Sequence, residues 1–484
     1  MGVYSKNNTA NNLIVDSNSI NYSQLNSVNN ISETKYNIDP RSLWADYGPG
    51  DSFDEVYAAD AGSGILIMGN HHHDNYTGQV WLTNYSGDHW KKIDPVLFPD
   101  DSPEYGSSVA IGPTGIAIGA ANNSISTNLS RGLIEIYDYD GEYSSIKYID
   151  PKSTIEPTVG NNGANYGDMG TLALGSRRLA VGGGEIRTFT TGDPIGGLAV
   201  LFWDYPVSSL SNSDDVITLE DFAGKHSLNY TTANDSAFGY SVAYGQNRFF
   251  VSDYFLDGQG EPRSGGIQAW TQEGTFMRSY YFPNGYYGGS GTGIASYEGQ
   301  GYRIKVGSGY VGTGLDARGG GQWHQDSNGA GIRCGGIWLW EIESGTPKFE
   351  DPLIHPRAQS YGGAFGTYGF LGESQGDNGR DGDFDIGCGY IVGASSAAHS
   401  TNNTGSIVVW TLDGTLVEDF NIDTVTNREH HIRSVNIADG YVFVTGNLKA
   451  TSTDNGFCYR YKLPESLDTE VESLLSPYIN LAEE

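Results

Sequence analysis

Short apolar runs recur along the whole chain, each bounded by Gly, Asn, Asp or Ser and rich in Val, Ile, Tyr, Phe and Trp. Runs of this length and makeup read as strands, because branched and aromatic side chains suit a pleated surface and the flanking residues suit turns. Seven runs follow a Gly: GQVWL from Gly78, GLIEI from Gly132, GLAVLFW from Gly197, GIQAW from Gly266, GIWLW from Gly336, GSIVVW from Gly405 and GFCYRY from Gly456. Their spacings are 54, 65, 69, 70, 69 and 51 residues. Each has an apolar partner upstream: ILIMG near Gly69, GIAIGA ending at Ala120, RRLAVGG ending at Gly183, RFFVSD ending at Asp253, YRIKVG ending at Gly307, YIVGAS ending at Ser395 and YVFVTG ending at Gly446.

Two further strands complete the unit. One precedes the pair, as in YGSSVAIG from Tyr105, YGDMGTLALG from Tyr166 and FGYSVAYG from Phe238. The other follows it after a Gly turn, as in YDGEYSSIKYI, TQEGTFMRSYYF and LDGTLVEDFNI. Four antiparallel strands repeated around an axis bury both faces of each small sheet and leave few edges, so the pattern predicts an all-β, seven-bladed β-propeller of four-stranded blades. Trp81, Trp203, Trp270, Trp340 and Trp410 fall at matching places and are expected to fill space between blades. Stacked sandwiches and a solenoid compete with this reading, but the first lacks such a period and the second needs a cap.

Three regions follow: an extended N-terminal arm over residues 1–44, the propeller over 45–463 and a C-terminal helical tail over 464–484. The arm is rich in Asn and Ser, and Glu33 to Ile38 reads as an edge strand that either docks or closes the ring by supplying the missing outer strand of the last blade. The tail turns at Pro464 into a helix-preferring stretch, Glu465 to Leu474. Blade five carries a long connection, Ser308 to Cys334, of the kind that decorates one rim.

Composition narrows the function. With 38% hydrophobic and 12% aromatic residues the chain can bury a core despite 68 Gly in 484 residues. Asp and Glu outnumber Lys and Arg by 58 to 27, giving a net charge of −31, and this argues against a surface that tracks nucleic-acid phosphates. No apolar run approaches a membrane span, so no membrane insertion is expected, and the start lacks the apolar stretch of a classical signal peptide. Cys334, Cys388 and Cys458 are too few and dispersed for a disulfide framework and are expected to be buried thiols.

The densest ligand pattern is GDNGRDGDFDIG, where Asp377, Asp381, Asp383 and Asp385 gather around Gly379 and Gly382. Hard carboxylate oxygens on a tight turn suit a structural Ca2+, although the EF-hand positions are not met and a plain acidic turn is the competing reading. His71, His72 and His73 with Asp74 form a second cluster, with His89, His430 and His431 as distant partners; hydrogen-bonded loop histidines are the simpler reading. Tyr286, Tyr287, Trp323 and His324 are candidate rim residues for a ligand, with packing as the alternative. Glu429 with Asp419 and Asp253 with Glu261 are candidate carboxylate pairs. There is no nucleophile elbow, zinc-protease pair or phosphate loop, and the Gly-rich stretches at Gly182 to Gly184 and Arg318 to Trp323 read as turns.

The openings Phe238-Gly239 and Tyr105-Gly106 and the loop Asp377 to Asp385 make residues 45 to 463 resemble the FG-GAP and integrin-alpha type of propeller. Most blades lack both features, and the sixth carries its Asp cluster in an enlarged hairpin. The resemblance implies adhesion or assembly; related propellers are lyases or cofactor-bearing oxidoreductases. The Met start, the Asn/Ser-rich arm and the Gly/Tyr/Asn-rich surface also resemble accessory structural proteins of tailed bacteriophages. The leading expectation is therefore a non-enzymatic virion protein, assembled in a host cytoplasm. Its arm would contact other virion structural proteins, and its propeller would serve assembly or attachment to a host-surface glycan or receptor. A carbohydrate-binding or carbohydrate-cleaving propeller and a general protein-interaction scaffold are the alternatives.

Overall fold

Strand formation follows from two local rules: apolar alternation, and turns that accept positive φ. The hairpins Ser63-Gly64, Gln246-Asn247, Ser308-Gly309, Cys388-Gly389 and Asp439-Gly440 place both residues at positive φ between antiparallel strands that pair up to the turn. Two-residue turns of this kind match the twist of the strands they join. The structure is a computed structural model describing strands and short turns between residues 56 and 464. Residues 1–55, 465–484 and the longer connections, among them 139–171, 205–214, 218–237, 282–302, 357–381 and 396–404, lie outside the described residues.

The described elements are all strands, and most fall into antiparallel sheets that follow one another along the chain. The first holds Ala58–Gly62, Ile65–Asn70, Gln79–Asn84 and Trp90–Ile93; the second holds Tyr105–Ile111, Gly115–Ala120 and Leu133–Asp138. The third holds Leu172–Leu174, Arg178–Gly182, Val200–Asp204 and Asp215–Ile217; the fourth holds Phe238–Gly245, Arg248–Asp253, Gly266–Thr271 and Phe276–Tyr281. The fifth holds Ile304–Gly307, Tyr310–Gly314, Gly336–Glu341 and Leu353–Ile354; the sixth holds Gly382–Gly387, Tyr390–Ser395, Ser406–Thr411 and Leu416–Asn421. The last holds Glu429–Ala438, Tyr441–Lys449 and Asp454–Lys462. Two short ribbons, Arg187–Thr188 with Ile195–Gly196 and His324–Gln325 with Gly331–Ile332, stand apart.

The first strand of each sheet is the innermost, and these strands pack side by side in chain order until the last meets the first. Sheet-to-sheet spacing is set by glycine. Each inner strand except the last ends in Gly or is followed by one, and a Cβ there would press on the next sheet: Gly62 on Ile111, Gly112 on Leu174, Gly175 on Tyr244, Gly245 on Val306, Gly307 on Ile386 and Gly387 on Ile437. At the opposite end the Tyr105-Gly106 and Phe238-Gly239 openings are irregularities in the ladder with Gly at positive φ. The Gly106 and Gly239 carbonyls lie where a Cβ on Gly69 or Gly182 of the preceding sheet would sit, so close approach of backbones accounts for these dipeptides.

The apolar core is divided among the sheet interfaces. Ile65, Ile67, Val80, Tyr105, Ile118 and Tyr137 fill the first, and Phe250, Ile267, Tyr280, Val311, Trp338 and Trp340 join the fourth and fifth sheets. Of the five tryptophans assigned to core positions, Trp270, Trp340 and Trp410 are buried, Trp81 is half-buried and the Trp203 side chain lies outside the described residues. Closure of the ring joins the last sheet to the first through Val56, Leu66, Met68, Tyr85, Phe443 and Cys458. Val56 N donates to Asn447 Oδ1 at 2.6 Å, and Arg460 donates to the Tyr85 carbonyl.

The expected seven-bladed architecture of uniform four-stranded blades with an arm and a helical tail is corrected. The blades have three or four strands: among the described residues the second and last sheets have three. No helix stands among the described elements, and the arm and tail fall on residues outside them, as does the proposed closing strand before Asp46. The fifth sheet was also misaligned by the repeat pattern. The partner of Gly336–Glu341 is Tyr310–Gly314, read from sequence as part of the insertion, while Ile304–Gly307 is the inner strand.

Glycine spacing gives a direct test. A Cβ on Gly307 would lie 1.8 Å from the Ile386 carbonyl oxygen, whereas Gly440, at φ 78°, has nothing within 4 Å. Gly307→Ala is expected to cost roughly 3 kcal/mol or more, since neighbouring backbone has to move. Gly440→Ala is expected to cost about 1 to 2 kcal/mol, from its left-handed conformation alone. Denaturant unfolding of both variants measures the contrast.

Candidate functional site

Because each hairpin turn fixes the register of its inner strand, residues two places before the turn occupy equivalent positions around the axis. In chain order these are Asp60, Ala110, Ala173, Ala243, Lys305, Asp385 and Asn436. The second, third and fourth sheets supply alanine, and the remaining ones supply charge or amide. A cavity of about 450 Å³ opens at this level, within the roughly 300 to 1,000 Å³ usual for small-molecule sites. Val109, Leu174, Val242 and Tyr244 continue its less polar arc; Arg303, Lys305, Asp385, Asn436 and Asp60 form the other.

The polar arc is wired across sheets. Asp60 Oδ2 accepts from Ile111 N at 2.7 Å and its Oδ1 from Ala61 N at 2.9 Å. Asp385 repeats this arrangement, accepting from Ile437 N at 2.6 Å and Ile386 N at 2.8 Å. Asp383, fully buried one pleat away, accepts from Val435 N at 2.8 Å and pairs with Arg303 at 3.1 Å and with Lys305 at 3.5 Å. The Lys305 ammonium donates onward to the Val435 carbonyl at 2.8 Å, and Asn436 donates to the Ala59 carbonyl at 3.2 Å.

Asp60 and Asp385 are enclosed by the ring yet keep part of their surface open, as residues lining a cavity do. Burial pushes the Asp60 carboxyl up to about 6 against the opposing pull of the Ile111 N–H, the Lys305 charge and the Ala61 N–H. Burial likewise pushes Asp385 up to about 6, opposed by Lys305 and by the Ile437 and Ile386 N–H groups, with Asp383 adding a smaller upward push. Carboxyls titrating there can both give and take a proton near neutral pH.

Of the expected calcium ligands, Asp383 and Asp385 engage backbone N–H groups of the last sheet, with Arg303 on Asp383, while Asp377 and Asp381 lie outside the described residues. Among the described residues no group of three or more His, Cys, Asp and Glu is arranged to hold a metal. His71 and His72 pack on Tyr57, whose hydroxyl meets His72 Nδ1 at 2.7 Å, and Arg433 lies over the same ring. His430 is buried and meets the Tyr459 hydroxyl at 3.2 Å. Asp419 lies on the outer strand of the sixth sheet and Glu429 opens the inner strand of the last. Asp253 ends the second strand of the fourth sheet, and Glu261 lies outside the described residues. Tyr286, Tyr287 and Trp323 also lie outside, and His324 stands in a short ribbon. Cys388 and Cys458 are buried cysteines. Sequence reasoning missed Asp60, Arg303, Lys305 and Asn436, although the series Ala-x-Gly against Asp-x-Gly and Lys-x-Gly before each turn carried the signal.

No family profile matches the chain, and no curated protein matches it. Solved structures that it resembles include the β-propeller domain of the trilobed protease from Pyrococcus furiosus, at 11% identity over 86% of this chain and 100% of that one, with a TM-score of 0.42. An acylaminoacyl peptidase from Pyrococcus horikoshii follows at 10% identity, 87% and 54% coverage and 0.41, and the phage phi92 endosialidase at 11%, 86% and 68%, and 0.40. The chain spans about half the length of the acylaminoacyl peptidases it matches. The resemblance to FG-GAP propellers and to phage accessory proteins is withdrawn, since no family profile matches the chain. The expectation of a non-enzymatic virion protein is withdrawn with it.

The raised carboxyls imply a stability signature. Folded Asp60 and Asp385 hold protons up to about pH 6, whereas unfolded they release them near 3.8. The folded state binds more protons in that window, so their stabilising contribution is complete below about pH 4 and is lost as pH rises through about 6. Urea unfolding from pH 3.5 to 8 is expected to show wild type losing ground to the Asp60→Asn, Asp385→Asn double variant across that window, with a constant difference above it. A difference that does not change with pH would place both carboxyls at ordinary values.

Proposed function

We propose that this chain is a carbohydrate-binding or carbohydrate-cleaving propeller whose ligand enters the axial cavity, with Asp60 and Asp385 as its working groups. The observation that carries the reading is the two-sided cavity at the ring axis, with alanines on one arc and Asp60, Lys305, Asp385 and Asn436 on the other. A sugar ring matches such a wall: its C–H face packs on small apolar side chains while its hydroxyls exchange hydrogen bonds with carboxylates and amides. Cleavage of a glycosidic bond needs one carboxyl to protonate the leaving oxygen and another, ionised, to act as base or nucleophile. Two carboxyls held near 6 meet that demand around the same pH.

The reading is tested by probing a glycan array with the full chain and then following reducing-end release from retained glycans at pH 5 to 8. At least one glycan is expected to be retained. If it is cleaved, Asp60→Asn and Asp385→Asn should each reduce turnover by about 100-fold or more while retaining near-ultraviolet circular dichroism. Absence of any retained glycan overturns the reading, and so does cleavage that survives both substitutions. In those cases the carboxylates serve as staples between sheets, as their backbone contacts already allow.

A further inference from the structure

Each inner strand is the edge of its sheet, so alternate N–H groups along it leave the ladder toward the axis. The turn decides which ones do so. In the third sheet Gly175 N donates to the Arg178 carbonyl at 2.8 Å, which makes Leu174 and Leu179 the next, non-hydrogen-bonded pair and turns the Leu174 N–H outward. Tyr244 and Val306 hold the same register before the two-residue turns that follow Gly245 and Gly307. Elsewhere such outward N–H groups are capped by inner-strand side chains. Asp60 takes Ala61 N and Ile111 N, and Asp385 takes Ile386 N and Ile437 N. Two residues earlier in the fourth sheet, Ser241 Oγ accepts from Ile304 N at 3.2 Å.

At Leu174, Tyr244 and Val306 the side chains at the capping positions are Ala110, Ala173 and Ala243, which carry no acceptor, and Lys305, which is a donor. No described side chain accepts from these three N–H groups, and all three residues line the axial cavity. We propose that the alanine arc is a carboxylate-binding subsite, in which an anionic group of the ligand takes the place that Asp60 and Asp385 fill on their own sheets. One of its oxygens accepts from Tyr244 N and the other from Leu174 N or Val306 N, as the two oxygens of Asp60 accept from its own strand and the next. The proposal rests on the carbohydrate reading and deepens it: the glycan is an acidic one with a uronic-type carboxylate. Its C–H face packs on the alanine methyls while the carboxylate meets the N–H groups between them. Bonds from backbone N–H to a carboxylate are charge-assisted, and converging N–H groups bind anions without a cation. That matters here because the neighbouring cations, Arg303 and Lys305, are engaged on Asp383.

The test is amide hydrogen exchange at single-residue resolution on the full chain. Without ligand, Leu174, Tyr244 and Val306 are expected to exchange roughly 10-fold or more faster than the capped Ile111, Ile386 and Ile437. Acetate, glucuronate and galacturonate are each expected to slow the three amides by roughly 10-fold near saturation, and glucose and galactose are expected to leave them unchanged. Ala173→Asp, which supplies a carboxylate at the position equivalent to Asp60, is expected to slow Leu174 and Tyr244 with no ligand present and to weaken uronate binding by about 10-fold or more. If that variant does not fold, Ala243→Asp carries the same expectation for Tyr244 and Val306. The proposal is overturned by free-state exchange as slow as at the capped amides, or by a folded Asp variant whose amides are unmoved. It is equally overturned if acetate and both uronates leave the three amides unchanged, or if the neutral sugars slow them as much. Protection by acetate with neither uronate nor any arrayed glycan bound would instead sink the carbohydrate reading and leave the carboxylate subsite standing.

Discussion

The ring depends on how its last sheet is held against its first. Other junctions join sheets adjacent in the chain, but this one brings together residues almost 400 positions apart, as in the bond from Val56 N to Asn447 Oδ1. Loop-closure entropy rises with that separation, though slowly, so the junction needs contacts of unusual quality. The structure supplies an apolar cluster, a polar seam at the axis and a carbonyl of the first inner strand, Ala59, that accepts from both Ser434 and Asn436. Asp383, Arg303 and Lys305 extend the seam through the fifth and sixth sheets, so charge that is costly to bury is paired at each step.

Much of the strand order was legible because it rests on local chemistry. The Gly-initiated strands and most of their partners could be read from apolar runs between turn residues, since neither signal needs distant contacts. The fifth sheet shows where this ends. Tyr310–Gly314 contains two glycines in five residues and reads as loop, yet it is buried between two strands because Gly312 admits Phe384 and Ile386 from the next sheet. The site was less legible. Asp385 was singled out for its acidic neighbours, a local feature, while Asp60 stood alone between alanines and attracted no attention. Only alignment of the inner strands on their turns sets the two at one level, and that alignment requires the correct strand in the fifth sheet.

Ring closure and the candidate site use the same side chains. Asp60 and Asp385 each grip the backbone of the following sheet while facing the cavity, and Asn436 lines the cavity while holding Ala59. The alanine arc, Ala110, Ala173 and Ala243, lies on the second to fourth sheets, where the residue before each Gly packs against the Gly of the preceding sheet. Charge and amide at this level of the axis are gathered on the fifth, sixth, last and first sheets, on either side of the seam. A cavity with one polar and one apolar wall is the geometric consequence.

That overlap bears on how the site tolerates change. Where a binding group is also a structural staple, its replacement removes a hydrogen-bond acceptor from buried N–H groups as well as from a ligand, at a cost of roughly 1 to 3 kcal/mol for each orphaned group. Residues of the alanine arc carry no such double duty, so ligand preference can be altered there with less penalty to the ring. Natural or engineered change of specificity is thus expected on the second to fourth sheets, while the fifth, sixth, last and first sheets hold the cavity carboxyls and the seam together. A polar arc that cannot drift and an apolar arc that can is a division of labour imposed by closing a ring from a single chain.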